Sequence, residues 1–89
     1  MKNYILKGES IRTSAKSIVL DFMANHQDCQ VDSKGLKQSE IFRGCGLDWG
    51  NQKSATSSNQ QYWLVALLRS LESDGHIERV GESGPWRIR

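Results

Sequence analysis

Several polar and basic side chains in the last third of the chain have the chemistry that nucleic acids require. The amide of Asn59 could pair through two hydrogen bonds with adenine, and a serine hydroxyl such as that of Ser58 can donate to or accept from several bases. Arg87 and Arg89 carry planar forks of donors that suit phosphate oxygens. The same residue types are common on an ordinary solvated surface, so the elements that position them must decide between the two interpretations.

Side chains that could perform catalysis or bind a metal are few and widely separated. Neither Cys29 nor Cys45 belongs to a CxxC pair, and His26 is far from His76, whereas a zinc site needs tighter pairs of ligands. The chain has no HExxH, no GxSxG and no phosphate loop. Cys45 and His76 could in principle form a catalytic pair, but nothing in their spacing requires the two side chains to meet. We therefore expect no enzyme, no metal and no cofactor.

The composition fits one small domain that is mildly basic. The 89 residues are 37% hydrophobic and 25% charged, with a net charge of +2. The isoelectric point near 8.7 allows nucleic-acid binding without requiring it, since strong binders usually exceed about 9. The longest apolar run, Trp63–Leu68, is too short to span a membrane. Two thiols outside any pair are typical of a reducing compartment, so we expect a cytoplasmic protein.

The first half of the chain predicts an arm and two helices. Residues 1–12 are expected to form an N-terminal arm or short strand, and residues 13–89 the folded domain. Apolar residues at helical spacing predict a helix over 13–26, namely Ala15, Ile18, Val19, Phe22 and Met23. Val31 stands alone in a polar stretch as a one- or two-residue strand. A second helix is predicted over 37–44, with Gly46 in the left-handed conformation that stops it.

The second half predicts a longer helix and a hairpin. A polar loop over 48–57 leads into a third helix over 57–74, which Gly75 ends. The core face of this helix carries Leu64, Leu67, Leu68 and Leu71. Its opposite face carries Ser58, Asn59, Tyr62, Ala66, Arg69 and Ser73. Strands over 76–80 and 86–89 are joined by the loop 81–85, and Ile77, Trp86 and Ile88 supply the apolar face of the hairpin.

At this point the chain resembles the winged helix-turn-helix superfamily. Glu40-Ile41 followed by Gly46-Leu47 is similar to the first helix of the motif and its turn. Leu67-Leu68, Leu71-Glu72, Gly75, Ile77 and Arg79 look like the run from the recognition helix into the wing, and Gly84–Ile88 looks like the returning wing strand. The inserted loop 48–57 departs from the family pattern, in which the turn is short.

The resemblance implies an α+β winged helix-turn-helix fold that binds double-stranded DNA, as a regulator or as the DNA-recognition domain of a larger protein. The N-terminal end of the recognition helix would reach base edges, and basic residues further along it and on the wing would contact phosphates. The residues implied in DNA binding are Ser58, Asn59, Tyr62, Arg69, Lys53, Arg87 and Arg89.

Alternatives remain open for the partner. The same scaffold could serve as a protein-interaction or dimerisation module without nucleic acid, and Trp49 and Trp63 are more typical of a core or an interface than of base stacking. The expected partners are therefore duplex DNA, with a homodimer or a larger parent protein as further alternatives, and no membrane.

Overall fold

The computed structural model describes residues 3–48, 62–82 and 84–89. Over these residues the chain forms three α-helices followed by a two-stranded antiparallel hairpin. The elements are α1 (Tyr4–Ala24), a short 3-10 turn (Gln27–Cys29), α2 (Gln38–Gly44), α3 (Tyr62–Ser73), β1 (Ile77–Arg79) and β2 (Trp86–Ile88). This small α+β arrangement is the predicted one, and it is consistent with a winged-helix-like fold.

The first helix is longer than predicted at its N-terminal end. It begins at Tyr4 rather than at residue 13, because Asn3 caps it: the Asn3 side chain accepts a hydrogen bond from the Leu6 backbone N–H over 3.0 Å. The strand alternative is therefore wrong from Tyr4 onward, because these residues are helical. The consecutive apolar residues Tyr4–Leu6 and the nearby Gly8 hid the helical period in the sequence, and every residue from Tyr4 to Ser14 is exposed.

Two helices end in the same way, on a glycine with a left-handed backbone. After α2, Gly46 has φ +70°, and the Leu47 N–H donates to the Phe42 carbonyl over 2.9 Å. After α3, Gly75 has φ +82°, and the His76 N–H donates to the Leu71 carbonyl over 3.0 Å. These are Schellman motifs, which satisfy carbonyls at the helix end. The predicted roles of both glycines are confirmed.

The hairpin is extended by one further backbone pair. Within it, Ile77 lies opposite Ile88 and Arg79 lies opposite Trp86. Leu36 and Trp86 then exchange two backbone hydrogen bonds, of 2.8 and 2.9 Å. The tiny strand predicted at Val31 is wrong, because Val31 lies in a turn and is 59% exposed, and the bridge forms at Leu36 instead.

One apolar core holds the helices against the hairpin. The predicted core face of α3 is confirmed, and Ile77 and Trp86 are fully buried beneath the helices. In α1 the predicted core residues Ala15, Val19 and Met23 are buried, but the prediction is wrong for Ile18, which lies at the edge of the apolar stripe and is 46% exposed. Buried members of this core are Ala15, Val19, Met23, Cys29, Leu36, Ile41, Phe42, Leu64, Leu67, Leu68, Leu71, Ile77 and Trp86. A two-stranded hairpin is marginal alone, so its burial against the helices is what holds the hairpin in place.

Candidate nucleic-acid interface

The exposed face of α3 is the one that the leucine spacing predicts. Ala66, Arg69 and Ser73 are exposed, while the four leucines on the opposite side are buried. Trp63 is 43% exposed and so does not lie in the core. Tyr62 is the first residue of α3. The predicted contacts Lys53, Ser58 and Asn59 lie outside the described residues.

Arg69 lies where α3 approaches the wing. Its Nη1 donates to the Glu72 carboxylate over 2.9 Å, and its guanidinium carbon lies 5.5 Å from the centroid of the Trp86 ring. About half of the Arg69 side chain remains exposed. The Glu72 pair directs the guanidinium along the helix surface, and a pair this exposed contributes little to stability.

A second arginine reaches the same tryptophan from the hairpin. Arg79 lies opposite Trp86 in the β-register, and its guanidinium carbon is 4.8 Å from the centroid of that ring. Its Nη1 lies 3.5 Å from the Glu82 carbonyl oxygen, and it pairs with no carboxylate among the described residues. Trp86 therefore joins a cation from α3 to a cation from β1 through interactions with its ring.

Sequence reasoning did not select Arg79 as a contact residue. What marks Arg79 as a candidate contact is its place opposite Trp86, and this place depends on the strand register. A shift of one residue in that register would put Arg79 on the other face of the hairpin. The length of the connecting loop did not determine that register. We name Arg69, Trp86 and Arg79 the arginine–tryptophan cluster.

The two wing arginines predicted to contact phosphate differ in their surroundings. Arg87 donates from Nε to the Glu78 carboxylate over 2.8 Å and from Nη1 to the Ser33 carbonyl over 2.8 Å, and its side chain is only 22% exposed. Arg89 is exposed. The structure thus gives Arg87 two partners within the fold, and a phosphate would have to compete with them.

Carboxylates neutralise much of the remaining positive charge. Besides the pairs of Arg69 and Arg87, ion pairs join Lys16 to Asp74, Lys34 to Asp28 and Arg43 to Asp48. Such pairs reduce the long-range field of the protein. Among the arginines of α3 and the hairpin that the structure describes, Arg79 and Arg89 are the two without a carboxylate partner. Their positive charge is therefore the most available to an anionic ligand.

A groove between α1 and α2 is lined by a histidine and a cysteine, the side-chain types that catalytic sites use. It has a volume of about 460 Å³, and His26 and Cys45 both line it, whereas His76 does not. Burial, with a smaller effect from Cys29, raises the pKa of the Cys45 thiol to about 11. The His26 ring is also engaged, since its Nδ1 accepts from the Asp28 backbone N–H over 3.1 Å. A reactive cysteine needs a lowered pKa, whereas the pKa of the Cys45 thiol is raised.

The comparisons with known proteins add no relative to this description. No family model, no curated protein and no solved structure matches the chain. In the ranges that the structure describes, no helix is long and apolar enough to cross a membrane, and no three potential ligands gather as a metal site would require.

Proposed function

We propose that this protein binds double-stranded DNA, with α3 as the recognition helix and the β1–β2 hairpin as the wing. The arginine–tryptophan cluster is the observation that carries the proposal. It places one guanidinium from α3 and one from β1 against the same buried indole. In a winged helix these two elements flank the DNA backbone, and arginine forks at their junction suit phosphate oxygens.

The physical reason for an anionic ligand is positive charge at the junction of α3 and the hairpin. The guanidinium groups of Arg69 and Arg79 both lie against the Trp86 ring, and of the two only Arg69 has a carboxylate partner within the described residues. A phosphate at this junction would accept charge-assisted hydrogen bonds from a guanidinium. Arg89, exposed at the end of β2, would extend the same surface along the backbone.

Base recognition is assigned to the residues at and before the start of α3. Ser58, Asn59 and Tyr62 would reach base edges, and Lys53 in the preceding loop would add a phosphate contact, as the resemblance implies. This part of the proposal rests on the sequence, and the chain acts by binding rather than by catalysis.

The test is the salt dependence of binding to a fluorescently labelled duplex of random sequence. Three or four phosphate contacts should make affinity fall about 40- to 150-fold between about 50 and 200 mM monovalent salt. Absence of binding at the lower concentration, or an affinity that does not change with salt, would overturn the proposal.

The second candidate is a protein-docking module, and the exposed Trp63 beside the outward face of α3 favours it. Aromatic residues are enriched at protein interfaces. An apolar interface centred on Trp63 would respond little to salt, and Trp63→Ala would weaken it strongly. The same variant should leave the salt slope of DNA binding unchanged, which separates the two candidates.

A further inference from the structure

The N-terminal part of α1 extends beyond the folded body. The core contacts of this helix come from its second half, through Ala15, Val19 and Met23, whereas every residue from Tyr4 to Ser14 is exposed. A short helix without tertiary packing is marginal in water, so this segment gains stability if another surface covers it.

The exposed segment has an apolar face of its own. At 100° per residue, Tyr4, Ile5, Gly8, Ile11 and Arg12 fall within an arc of about 120°. The exposed fractions of Tyr4, Ile5 and Ile11 are 72%, 76% and 67%. Ala15 continues the same side of the helix into the core, so the face that packs against the body extends along the projecting turns.

We propose that this face is a self-association surface, on which the projecting parts of α1 from two copies of the chain pack antiparallel and cross at Gly8. A second copy is the favoured occupant because the face is complementary to itself. A symmetric pair needs one patch that matches its own rotated image. The sequence from Tyr4 to Arg12 meets this condition around Gly8.

The complementarity follows from the positions on either side of Gly8. In an antiparallel pair centred there, Ile5 of one copy shares a layer with Ile11 of the other, and Tyr4 shares a layer with Arg12. The first contact is apolar, and the second places a guanidinium beside an aromatic ring, which is attractive. The ring of Tyr4 already has a cation near it, since Lys7 Nζ lies 5.9 Å from its centroid.

Gly8 itself allows the close approach. A Cβ added at this position would meet nothing within 4 Å, so the body of the protein does not require a glycine here. Glycine in the middle of a helix is unfavourable compared with alanine, and close helix crossing is a reason to have one there. The interface is short, so we expect a reversible dimer in the micromolar range.

The proposal does not depend on DNA binding, and its test contains no DNA. The molar mass of the purified chain is measured by sedimentation over about 1 µM to 1 mM, where the 10.1 kDa monomer should convert to a dimer. Ile11→Glu should weaken association at least tenfold. Leu6→Glu is the matched control, since it also replaces an exposed aliphatic residue on α1 but on the opposite side of the helix.

Crosslinking tests the crossing point. A disulfide needs two Cα atoms within about 4.4–6.8 Å, so Gly8→Cys should crosslink rapidly under oxidation at pH 8 and the opposite-side control Ser10→Cys should not. The native thiols should react slowly, because burial raises the pKa of both Cys29 and Cys45 to about 11. A wild type that stays monomeric, equal association of the two Glu variants, or equal crosslinking of the two Cys variants would overturn the proposal.

Discussion

Arg87 and Glu78 lie directly opposite each other in the hairpin, with Arg87 Nε donating to the Glu78 carboxylate over 2.8 Å. The same guanidinium donates to the Ser33 carbonyl, so one side chain connects β2 to β1 and to the segment before α2. Charge-assisted hydrogen bonds with a side chain mostly shielded from water contribute more than a pair on the open surface. Arg87 therefore has a structural role, and its contact with phosphate stays a prediction.

The first prediction follows from this arrangement. Arg87→Met should lower the free energy of unfolding by about 1–3 kcal/mol, because Glu78 and the Ser33 carbonyl lose a charged donor. Urea melts measure the change. Arg89→Met removes the same charge from an exposed position on the same strand end and should change stability by less than about 0.5 kcal/mol. Equal effects of the two variants would contradict the structural role of Arg87.

The second prediction concerns the contact between α1 and α2. A Cβ at Gly44 would overlap the end of the Phe22 ring. Gly44→Ala should therefore destabilise the protein by about 1–2 kcal/mol despite the better helix propensity of alanine. The matched control is Gly8→Ala in α1, where the added methyl meets nothing and should stabilise by up to about 1 kcal/mol.

A double variant identifies the cause of the Gly44 effect. If the Phe22 ring is responsible, Gly44→Ala should cost at least about 0.5 kcal/mol less in a Phe22→Leu background than in the wild type. Thermal melts of the four proteins, at a low protein concentration, give this coupling. Additive effects would show that the overlap with Phe22 does not limit the substitution.

The third prediction concerns acid stability. The hydrogen bond from Lys16 Nζ to Asp74, 2.7 Å long, holds the pKa of the Asp74 carboxyl below its usual value, with smaller help from the charges of Lys16 and His76. A carboxyl with a lowered pKa in the folded state stabilises the fold above its unfolded pKa, and this contribution disappears as pH falls through the folded pKa. Asp74→Asn should thus be less stable than the wild type at pH 7 and equally stable in strong acid.

Thermal melts at pH 7 and at about pH 2 measure this difference. Lys16→Met should show the same dependence on pH, because it removes the other half of the pair. Glu9→Gln, which removes an exposed carboxylate from α1, serves as the control. A gap between wild type and Asp74→Asn that is as large in acid as at neutral pH would contradict the assignment.

The fourth prediction separates Arg79 from the other basic residues in DNA binding. Arg79→Gln should reduce the salt slope of binding to a random duplex by about one unit, as loss of one phosphate contact does. Lys7→Gln removes one positive charge from the projecting part of α1 and should leave the slope unchanged. Circular dichroism of both variants controls for folding, since Arg79 also packs on Trp86.

The fifth prediction concerns Asn59 at the start of the predicted recognition helix. Asn59→Ala should weaken binding to a selected site by about 1–3 kcal/mol and leave binding to a scrambled duplex nearly unchanged, because an amide distinguishes adenine from other bases. Titration of both duplexes at one salt concentration measures this. Equal losses on both duplexes would assign Asn59 to the phosphate backbone instead.

The sequence by itself determined the features that depend on local periodicity and backbone chemistry. The leucine spacing of α3 identified its buried face, and the stops at Gly46 and Gly75 followed from the conformational freedom of glycine. The alternation around Trp86 and Ile88 identified the strand and its apolar face. These signals act within a few residues, so they can be recognised in the amino-acid sequence alone.

Only the tertiary structure decided the features that join distant residues. The register of β1 and β2 placed Arg79 against Trp86, the bridge from Leu36 replaced the strand predicted at Val31, and Ser33 gave Arg87 a partner within the fold. None of these pairings has a local signature, because each depends on how far the loops bring two segments together. The projection of α1 belongs with them, since exposure depends on what the rest of the chain covers, and spacing along one helix does not contain that information.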